Sequence, residues 1–332
     1  MRAVYYDRTG PATDVLRLGN LPDPVVGPGD VLVRVAASGI NPADVKRRAG
    51  WGGMAMGHAR IIPHCDGAGV IEGAGAGVDR AQIGQRVWLW NAQGGYGTAG
   101  RADGTAAELI ALPHRQAVPL PDHYSMAEGA CLGVPAMTAH RCVMADGPVA
   151  NETVLVQGGA GAVGYLAVQI AIAEGAQVIA TVSGQDKAAR ISALGGQSID
   201  RTTEDVPERV LDLTNGEGVD RIVEVDFAAN QTANARMLKT NGTIASYSSS
   251  SDPQPVLDYY VFAAKGANLR LVQGFALPLP ARACAIDWVG ANHLDIPIAA
   301  TFPLERCAEA HERVEQSVGF GQIVILNAPE RA

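Results

Sequence analysis

The sequence predicts an α/β protein in which a doubly wound parallel sheet accompanies a second, strand-rich domain. Three observations lead to this fold class. Residues 153–175 have the pattern of a strand, a glycine-rich turn and a helix. Beyond residue 175, strand-like runs alternate with helical patterns, which is typical of a parallel sheet. Residues 1–125 contain short strand-like runs separated by Pro- and Gly-rich turns, which indicates an antiparallel, barrel-like module.

The stretch from Thr153 to Gly175, TVLVQGGAGAVGYLAVQIAIAEG, is the centre of this prediction. Its apolar run Val154–Val156 is short and β-branched, which favours a buried parallel strand. From Val163 apolar residues recur at helical spacing until Gly175 ends the helix. Between the two, GAGAVG at 159–164 fits G-x-G-x-x-G. In this context the turn indicates a dinucleotide site with the pyrophosphate on the helix N-terminus. The alternative is an ordinary tight turn.

The next strand, Gln177–Val182, indicates which dinucleotide is bound. NAD enzymes place an acidic residue after this strand to hold the ribose 2′-hydroxyl. Here residues 182–184 read Val-Ser-Gly, and Ser183 can donate a hydrogen bond to a 2′-phosphate. Lys187, Arg190 and Arg201 add positive charge beyond it. The sequence therefore favours NADPH, although a solvated basic start of a helix would give the same residues.

Composition limits the function classes. The chain has 332 residues, of which 47% are hydrophobic and 18% charged, and this suits two globular domains. The net charge of −8 and the lack of basic clusters interleaved with aromatics disfavour nucleic acid as a partner. No apolar run reaches membrane-spanning length, and the first residues lack a signal-peptide core. Five scattered cysteines indicate reduced thiols. We therefore expect a cytoplasmic protein with no membrane partner.

Five segments carry a family resemblance: GPGDVLVRVAASGINPADVKRRAG at 27–50, PHCDGAGVIEGAGAGV at 63–78, MTA at 137–139, VLVQGGAGAVG at 154–164 and NLRLVQGF at 268–275. In this order the chain resembles the medium-chain dehydrogenase/reductase superfamily, specifically its zinc-independent quinone oxidoreductase (zeta-crystallin-like) branch. The resemblance implies a GroES-like β-barrel catalytic domain at 1–124 and 274–332. It also implies a Rossmann NADPH-binding domain at 125–273.

Element positions follow from the same patterns. In the first domain we expect strands at Arg2–Tyr6, Val31–Ala36, Gly67–Glu72, Val87–Trp90 and Thr105–Ile110, and a helix over the tail TFPLERCAEAHERVEQSV at 301–318. In the Rossmann domain we expect further strands at Arg221–Val225, Gly242–Tyr247 and Leu269–Gly274.

The zinc alcohol dehydrogenases of this superfamily share the fold, so the metal question bears on the chemistry. Their structural zinc needs four cysteines in one loop, and the matching residues 91–104 contain none. Their catalytic zinc takes a cysteine from a G-x-C-x-x-D turn. Here that turn is GINPAD, and Asn41 stands in place of the cysteine. A neutral amide supplies no thiolate charge. We therefore expect no metal in the active site.

The residues at the other two catalytic zinc-ligand positions keep metal binding as an alternative. Cys65 and Asp66 fall at the second position, and Leu132, with Cys131 beside it, at the third. The simpler interpretation of Cys65 is a small buried hydrophobe.

Without a metal the accessible chemistry is hydride transfer to a conjugated acceptor. A quinone or an α,β-unsaturated carbonyl spreads the charge over its own oxygen, whereas a simple ketone needs a Lewis acid. The resemblance thus implies an NADPH-dependent quinone reductase. The alternatives are an NADPH-dependent enone or enoyl-thioester reductase, for which Arg47 and Arg48 could supply a basic entrance. A zinc alcohol dehydrogenase and a non-catalytic NADPH-binding protein are further alternatives.

The resemblance also assigns site residues. Asn41 lies beside the nicotinamide and the acceptor, and Asp44 belongs to the same turn, although it could serve only as a helix N-terminal carboxylate. Trp51 stands where relatives often have tyrosine. It can stack on a quinone but cannot replace the phenol as a proton donor, and it could equally be a plain wall. The remaining assigned residues contact the cofactor: Thr138, Gly159, Gly161, Ala162, Val163, Gly164, Ser183, Lys187, Arg201, Ser246, Tyr247 and Phe275.

A homodimer is a further implication of the resemblance. Residues Asn268–Gly274 could pair edge to edge with their twin in a second copy and so satisfy exposed backbone groups.

Overall fold

The computed structural model describes residues 1–94, 100–316 and 319–327, so the middle of the 91–104 loop lies outside the described residues. The chain divides into two compact units. The first comprises 1–135 and 286–332, and the second comprises 136–285.

The strands of the described residues are numbered in chain order: β1 Arg2–Tyr5, β2 Arg17–Asn20, β3 Asp30–Ile40, β4 Asp66–Ala74, β5 Arg86–Leu89, β6 Leu109–Pro113, β7 Ala117–Pro119, β8 Thr153–Val156, β9 Gln177–Val182, β10 Gln197–Asp200, β11 Val219–Glu224, β12 Leu238–Ser246, β13 Asn268–Leu271, β14 Ile298–Pro303 and β15 Gln322–Leu326.

The helices are α1 Ala12–Val15, α2 Pro42–Ala49, α3 Met126–Gly129, α4 Val134–Met144, α5 Ala162–Ala173, α6 Gln185–Ala193, α7 Val206–Leu213, α8 Phe227–Met237, α9 Tyr259–Lys265, α10 Leu279–Ala291 and α11 Cys307–Glu315. Within the described residues, no helix is both long and apolar enough to cross a lipid bilayer.

The first unit is organised by a mostly antiparallel sheet of order β14-β15-β3-β4-β5-β7, with β6 also paired to β3. The long strand β3 directs Val31, Val33 and Val35 into the core, as its alternating pattern predicts. Among the described strands of this sheet, only β14 and β15 run parallel to each other. Because β3 ends at Ile40, the turn that carries Asn41 follows at once.

Two sequence predictions in this unit were wrong. The strand expected at Thr105 begins only at Leu109, because the N–H groups of Thr105 and Ala106 donate to the carbonyls of His64 and Pro63. The predicted tail helix is shorter than 301–318, because residues up to Pro303 continue β14 and pair with β15. The helical part begins at Cys307 and ends at Glu315, and residues 317 and 318 lie outside the described ones.

The second unit contains a parallel sheet of order β10-β9-β8-β11-β12-β13. Counted along the chain this order is 3-2-1-4-5-6, the Rossmann order, and it reverses beside the first strand, β8. The predicted bounds of β9 are confirmed, whereas β13 ends at Leu271 rather than at Gly274. Ligands of such sheets bind beyond the carboxyl ends of the strands at the reversal point, where the glycine turn of this chain follows β8.

Candidate active site

The glycine turn after β8 is closely packed. Gly158 has φ +70°, a backbone conformation that side chains with a Cβ rarely adopt. A Cβ on Gly164 would lie 2.2 Å from the carbonyl oxygen of Gly158. Gly161 then caps α5, whose first N–H groups have no partner within the helix. The geometry fits a pyrophosphate, because the missing side chains leave the backbone donors open to an anion.

A buried polar network holds this turn in place. Thr181 on β9 accepts the N–H of Gly158 at 2.9 Å through its hydroxyl, and its own carbonyl accepts the N–H of Gly159 at 2.9 Å. The hydroxyl donates to Gln157 Oε1 at 2.9 Å, and the Gln157 amide donates to Asn234 Oδ1 at 3.1 Å. The sequence analysis missed these residues. The available signal was polar side chains at the carboxyl ends of otherwise apolar strands.

The residues predicted to hold the adenosine phosphate lie after β9 and β10. The ammonium of Lys187 donates to the Ser183 hydroxyl at 3.2 Å. The N–H of Arg201 donates to the Val182 carbonyl at 3.0 Å, so the side chain of this exposed residue starts beside the end of β9. The structure therefore gathers the predicted bases at one edge of the sheet.

Asp200, which the sequence analysis missed, lies at the same edge. Its carboxylate accepts the N–H of Gly184 at 3.1 Å and the Thr202 hydroxyl at 2.6 Å. The Thr202 donors hold the pKa of Asp200 below its usual value. Its negative charge, with that of Glu204, whose Oε1 accepts the Asp200 N–H at 2.8 Å, offsets part of the positive charge of Lys187 and Arg201.

Four further predicted residues also lie in the second unit. Thr138 on α4 and Phe275 are buried, and a Cβ on Gly274 would lie 2.2 Å from Thr138 Oγ1. The carbonyl of Ser246 accepts the N–H of Val272 at 2.7 Å, and Tyr247 donates its N–H to the Glu224 carbonyl at 3.1 Å. Thr138 and residues 274–275 therefore come together, as do the ends of β11, β12 and β13.

The predicted catalytic residues Asn41 and Asp44 form a buried cluster with Asp66 in the first unit. Asn41 follows β3 and precedes α2, and its backbone N–H donates to Asp44 Oδ2 at 2.8 Å. Its side-chain Nδ2 donates to Asp66 Oδ2 at 2.7 Å. The N–H of Val134 donates to the same oxygen at 2.8 Å. Two carboxyl groups thus fix Asn41 from its backbone and from its side chain.

Trp51 has a different environment from Asn41 and Asp44. It lies on a short 3₁₀ turn, is partly exposed, and has the Lys46 ammonium 4.6 Å from its ring centroid. This cation–π contact fits a wall residue.

Burial controls the protonation of the cluster. Desolvation raises the pKa of Asp66 to about 8, against the lowering effect of the Asn41 hydrogen bond. Desolvation also raises the pKa of Asp44, which Arg47 partly opposes. At neutral pH Asp66 therefore holds a proton, and the negative charge beside Asn41 is reduced.

The two arginines considered for a basic entrance are engaged inside the first unit. Arg47 Nη1 lies 3.1 Å from Gln93 Oε1 and 3.5 Å from Cys65 Sγ. Arg48 is only 1% exposed and pairs with Glu315. An entrance role for Arg48 is therefore wrong.

Potential metal ligands converge elsewhere. Among the described residues, the group of three whose ligand atoms approach closely enough for one ion is His64, Cys307 and His311. In that same part of the chain, Cys65, Asp66 and Cys131 form no such group.

Replacing Asp66 by asparagine is expected to change how stability depends on pH. The folded-state pKa of about 8 lies above the usual 3.8, so the unfolded chain releases a proton that the folded protein keeps. The free energy of unfolding therefore falls as pH rises from about 4 to about 8, by up to about 1.4 kcal/mol per pH unit. Urea unfolding at pH 5 and pH 8 should show a clearly smaller difference for the variant. An equal difference in both proteins would contradict the raised pKa.

The Rossmann strand order, the glycine turn and the antiparallel unit together define a pyridine-nucleotide-dependent oxidoreductase with two domains. Residues 27–122 match the family described as alcohol dehydrogenase GroES-like domain, and residues 162–289 match the family described as zinc-binding dehydrogenase. The chain belongs to the medium-chain dehydrogenase/reductase superfamily. The second description names a family rather than a metal site here, since 162–289 contains one cysteine and no histidine.

Known proteins resemble the chain over nearly its whole length. It is 29% identical to a quinone oxidoreductase of Lama guanicoe, with 98% of this chain and 97% of that protein covered. It is 28% identical to a 2-haloacrylate reductase of a Burkholderia species, with 98% of both covered. Among solved structures, a mycobacterial protein complexed with NADPH has a TM-score of 0.83 and 27% identity, covering 98% of this chain and 100% of that one. The structure of an NAD-dependent alcohol dehydrogenase has a TM-score of 0.87 and 26% sequence identity, and the match covers 99% of this chain and 100% of that one.

Proposed function

We propose that the protein is an NADPH-dependent quinone reductase that transfers hydride without a metal in the active site. The observation that carries the proposal is the buried cluster of Asn41, Asp44 and Asp66. The amide of Asn41 donates to Asp66, and its backbone N–H donates to Asp44. The sequence resemblance places this residue where the zinc dehydrogenases carry a thiolate ligand. Such a site suits an acceptor that stabilises its own charge. The similarity to quinone oxidoreductases supports the same reaction class.

NADPH would be held by the second unit. The N-terminus of α5 and the turn around Gly164 would bind the pyrophosphate, while Ser183, Lys187 and Arg201 would bind the 2′-phosphate. The absence of an acidic residue at 182–184 supports NADPH over NADH, since a carboxylate there would repel the phosphate. When bound, NADPH supplies the hydride. Thr138, Ser246, Tyr247 and Phe275 would then orient it.

The role we assign to Asn41 is donation of a hydrogen bond to the oxygen of the acceptor. Its amide nitrogen carries two hydrogens, of which one is directed to Asp66 at 2.7 Å. Hydride addition makes the acceptor oxygen negative, and a positioned donor stabilises that charge. A protonated Asp66 favours this stabilisation, because an ionised carboxylate beside Asn41 would repel the negative charge that develops on the acceptor oxygen. The product then takes its proton from solvent.

A second candidate is an enone reductase acting on an electron-poor alkene. The same donor would serve a conjugated carbonyl, and the similarity to 2-haloacrylate reductase favours this acceptor class. The two candidates differ in the acceptor and share the cofactor and Asn41.

Steady-state assays separate them. NADPH oxidation would be measured with a benzoquinone, an enone and a 2-haloacrylate offered separately, and repeated with NADH. We expect the quinone with NADPH to be fastest. Asn41→Ala should lower kcat at least about tenfold, the typical scale for a lost transition-state hydrogen bond, with NADPH affinity unchanged. Asn20→Ala, on strand β2, is the control and should retain activity. Alcohol oxidation that requires added zinc, or NADPH binding without any turnover, would overturn the proposal.

We further propose that two copies associate through β13. This strand lies at the edge of the parallel sheet, and the side chain of Leu271 on it is 79% exposed. An edge strand that exposes a large apolar side chain favours pairing with a second copy. The buried free cysteines also suit a reducing cytoplasm.

Leu271→Lys is expected to convert the dimer into a monomer, because it places a charge within the proposed interface. Light scattering measures the mass directly. Val25→Lys is the matched control, since Val25 is 90% exposed in the first unit and should leave the dimer intact. A wild-type mass of about 34.5 kDa, that of one chain, would show that the pairing does not occur.

A further inference from the structure

Three metal-ligating side chains lie together in the first unit, outside the hydrogen bonds that hold Asn41. His64 precedes β4, whereas Cys307 and His311 lie one turn apart on α11. The Nε2 atoms of the two histidines are 2.8 Å apart, and Cys307 Sγ is 3.9 Å from His64 Nε2. All three ligand atoms lie within 4.8 Å of one another, and all three residues are buried. We call them the His-Cys-His cluster.

The hydrogen bonds around His64 determine which of its nitrogens carries the proton. The Thr105 hydroxyl donates to the Asp66 carbonyl at 2.5 Å, so Thr105 Oγ1 accepts from the Ser38 hydroxyl at 2.7 Å. Ser38 Oγ, having used its hydrogen, then accepts from His64 Nδ1 at 2.8 Å. His64 is therefore protonated on Nδ1, and its Nε2 directs a lone pair into the cluster. Metal-binding histidines are oriented in this way by a partner of their second nitrogen.

The lone pair on His64 Nε2 can accept only one hydrogen bond, although two possible donors face it. The His311 ring and the Cys307 thiol both approach His64 Nε2, and only one of them can donate to it. His64 itself has φ +78°, which is costly for a residue with a Cβ and persists only where its surroundings fix it. One ion between the three ligand atoms would engage all of them.

We propose that the His-Cys-His cluster is a structural site for a thiophilic d¹⁰ metal ion, Zn²⁺ or Cu⁺. Imidazole and thiolate together are the donors these ions prefer. Binding would require His311 to carry its proton on Nδ1, so that both Nε2 atoms offer a lone pair to the ion. Cys307 would lose its thiol proton to solvent on binding. Zinc–nitrogen bonds of about 2.0–2.1 Å need the two nitrogens about 3.3 Å apart, so the rings would part by about half an ångström.

The site would join parts of the chain that are distant in sequence. It would tie α11, near the end of the described residues, to the segment before β4, 243 residues earlier. Because the three ligands come together only in the folded chain, the ion would bind the folded protein and not the unfolded one. Metal binding would therefore raise the free energy of unfolding. The site is separate from the proposed hydride transfer, which uses no metal.

Metal binding to the full-length protein tests the proposal. Protein stripped with a chelator would be dialysed against Zn²⁺, or against Cu⁺ under anaerobic reducing conditions, and the bound metal counted by mass spectrometry. Co²⁺ would serve as a spectroscopic probe. We expect one ion per chain, a thiolate-to-cobalt charge-transfer band and a higher melting temperature. Stoichiometric binding of either ion would support the proposal.

Matched variants locate the site. Cys307→Ala and His311→Asn should each weaken metal binding at least about tenfold, as loss of one ligand requires. Cys142→Ala removes another fully buried thiol, from the second unit, and should bind normally. If the Cys307 variant fails to fold, the charge-transfer band of the cobalt-loaded wild-type protein still shows whether a thiolate binds the metal. Absence of that band with no stoichiometric metal, or equal binding by all variants, would show that the cluster is only a hydrogen-bonded imidazole pair.

Discussion

Replacing Gly164 by alanine should weaken NADPH binding by at least about 100-fold, which corresponds to about 2.7 kcal/mol. The added Cβ would lie 2.2 Å from the Gly158 carbonyl oxygen, a backbone atom that cannot move aside by rotating. The first turn of α5 would have to shift away from β8. The N–H groups that face the pyrophosphate would shift with it.

Fluorescence titration with NADPH measures this loss. Gly290→Ala, on α10, is the control, because its Cβ would meet no atom within 4 Å and the residue lies outside the glycine turn. We expect a much smaller loss for this variant. Thermal unfolding must show that both variants remain folded. Wild-type affinity in a folded Gly164→Ala protein would mean that the turn does not hold the cofactor.

Replacing Ser183 by aspartate should reverse the cofactor preference. The substitution places a carboxylate after β9, where NAD enzymes use one to hold the ribose 2′-hydroxyl. The new charge would repel the 2′-phosphate and would also neutralise Lys187, whose ammonium lies 3.2 Å from the present hydroxyl. Together with Asp200 it would offset the two positive charges of Lys187 and Arg201. We expect NADPH affinity to fall about 100-fold and NADH affinity to rise.

The ratio of the two dissociation constants is the measurement, because a general loss of stability would affect both cofactors alike. Arg236→Glu, an exposed charge change on α8, should leave the ratio unaltered. If Ser183→Asp also leaves it unaltered, the phosphate is recognised elsewhere.

The second unit was the more predictable from sequence. Val154–Val156 and Gln177–Val182 are continuous apolar runs bounded by glycines or polar residues, and buried parallel strands need that composition. The bounds of β9 followed from it directly. The helix after the turn was equally clear, because apolar residues recur at helical spacing from Val163 until Gly175, and α5 spans Ala162–Ala173.

The errors arose where distant residues decide the local structure. Thr105 has the composition of a strand residue, yet its N–H and hydroxyl bond to the segment at 64–66. The tail was predicted as one helix because β14 is short, and its partner strand, β15, comes later in the chain. Composition alone does not contain such pairings.

The candidate sites differ in the same way: local motifs could be predicted from sequence, whereas contacts between distant residues could not. The G-x-G-x-x-G turn and the Asn41 turn are local motifs, so sequence alone could identify them. The network of Thr181, Gln157 and Asn234 joins residues up to 77 positions apart, and the two histidines of the His-Cys-His cluster are 247 apart. Only the fold brings such residues together.

Direct hydride transfer from NADPH to a conjugated acceptor is tested most directly by isotopic substitution at the nicotinamide C4. Protein loaded with NADPH carrying two deuterium atoms at C4 would be mixed with excess quinone and followed through a single turnover beside unlabelled NADPH. If the C–H bond breaks in the transfer to quinone, the labelled cofactor should be oxidised more slowly, and Asn41→Ala should slow both. Equal rates in this single turnover, or no oxidation by a protein that binds NADPH, would contradict the proposed reaction.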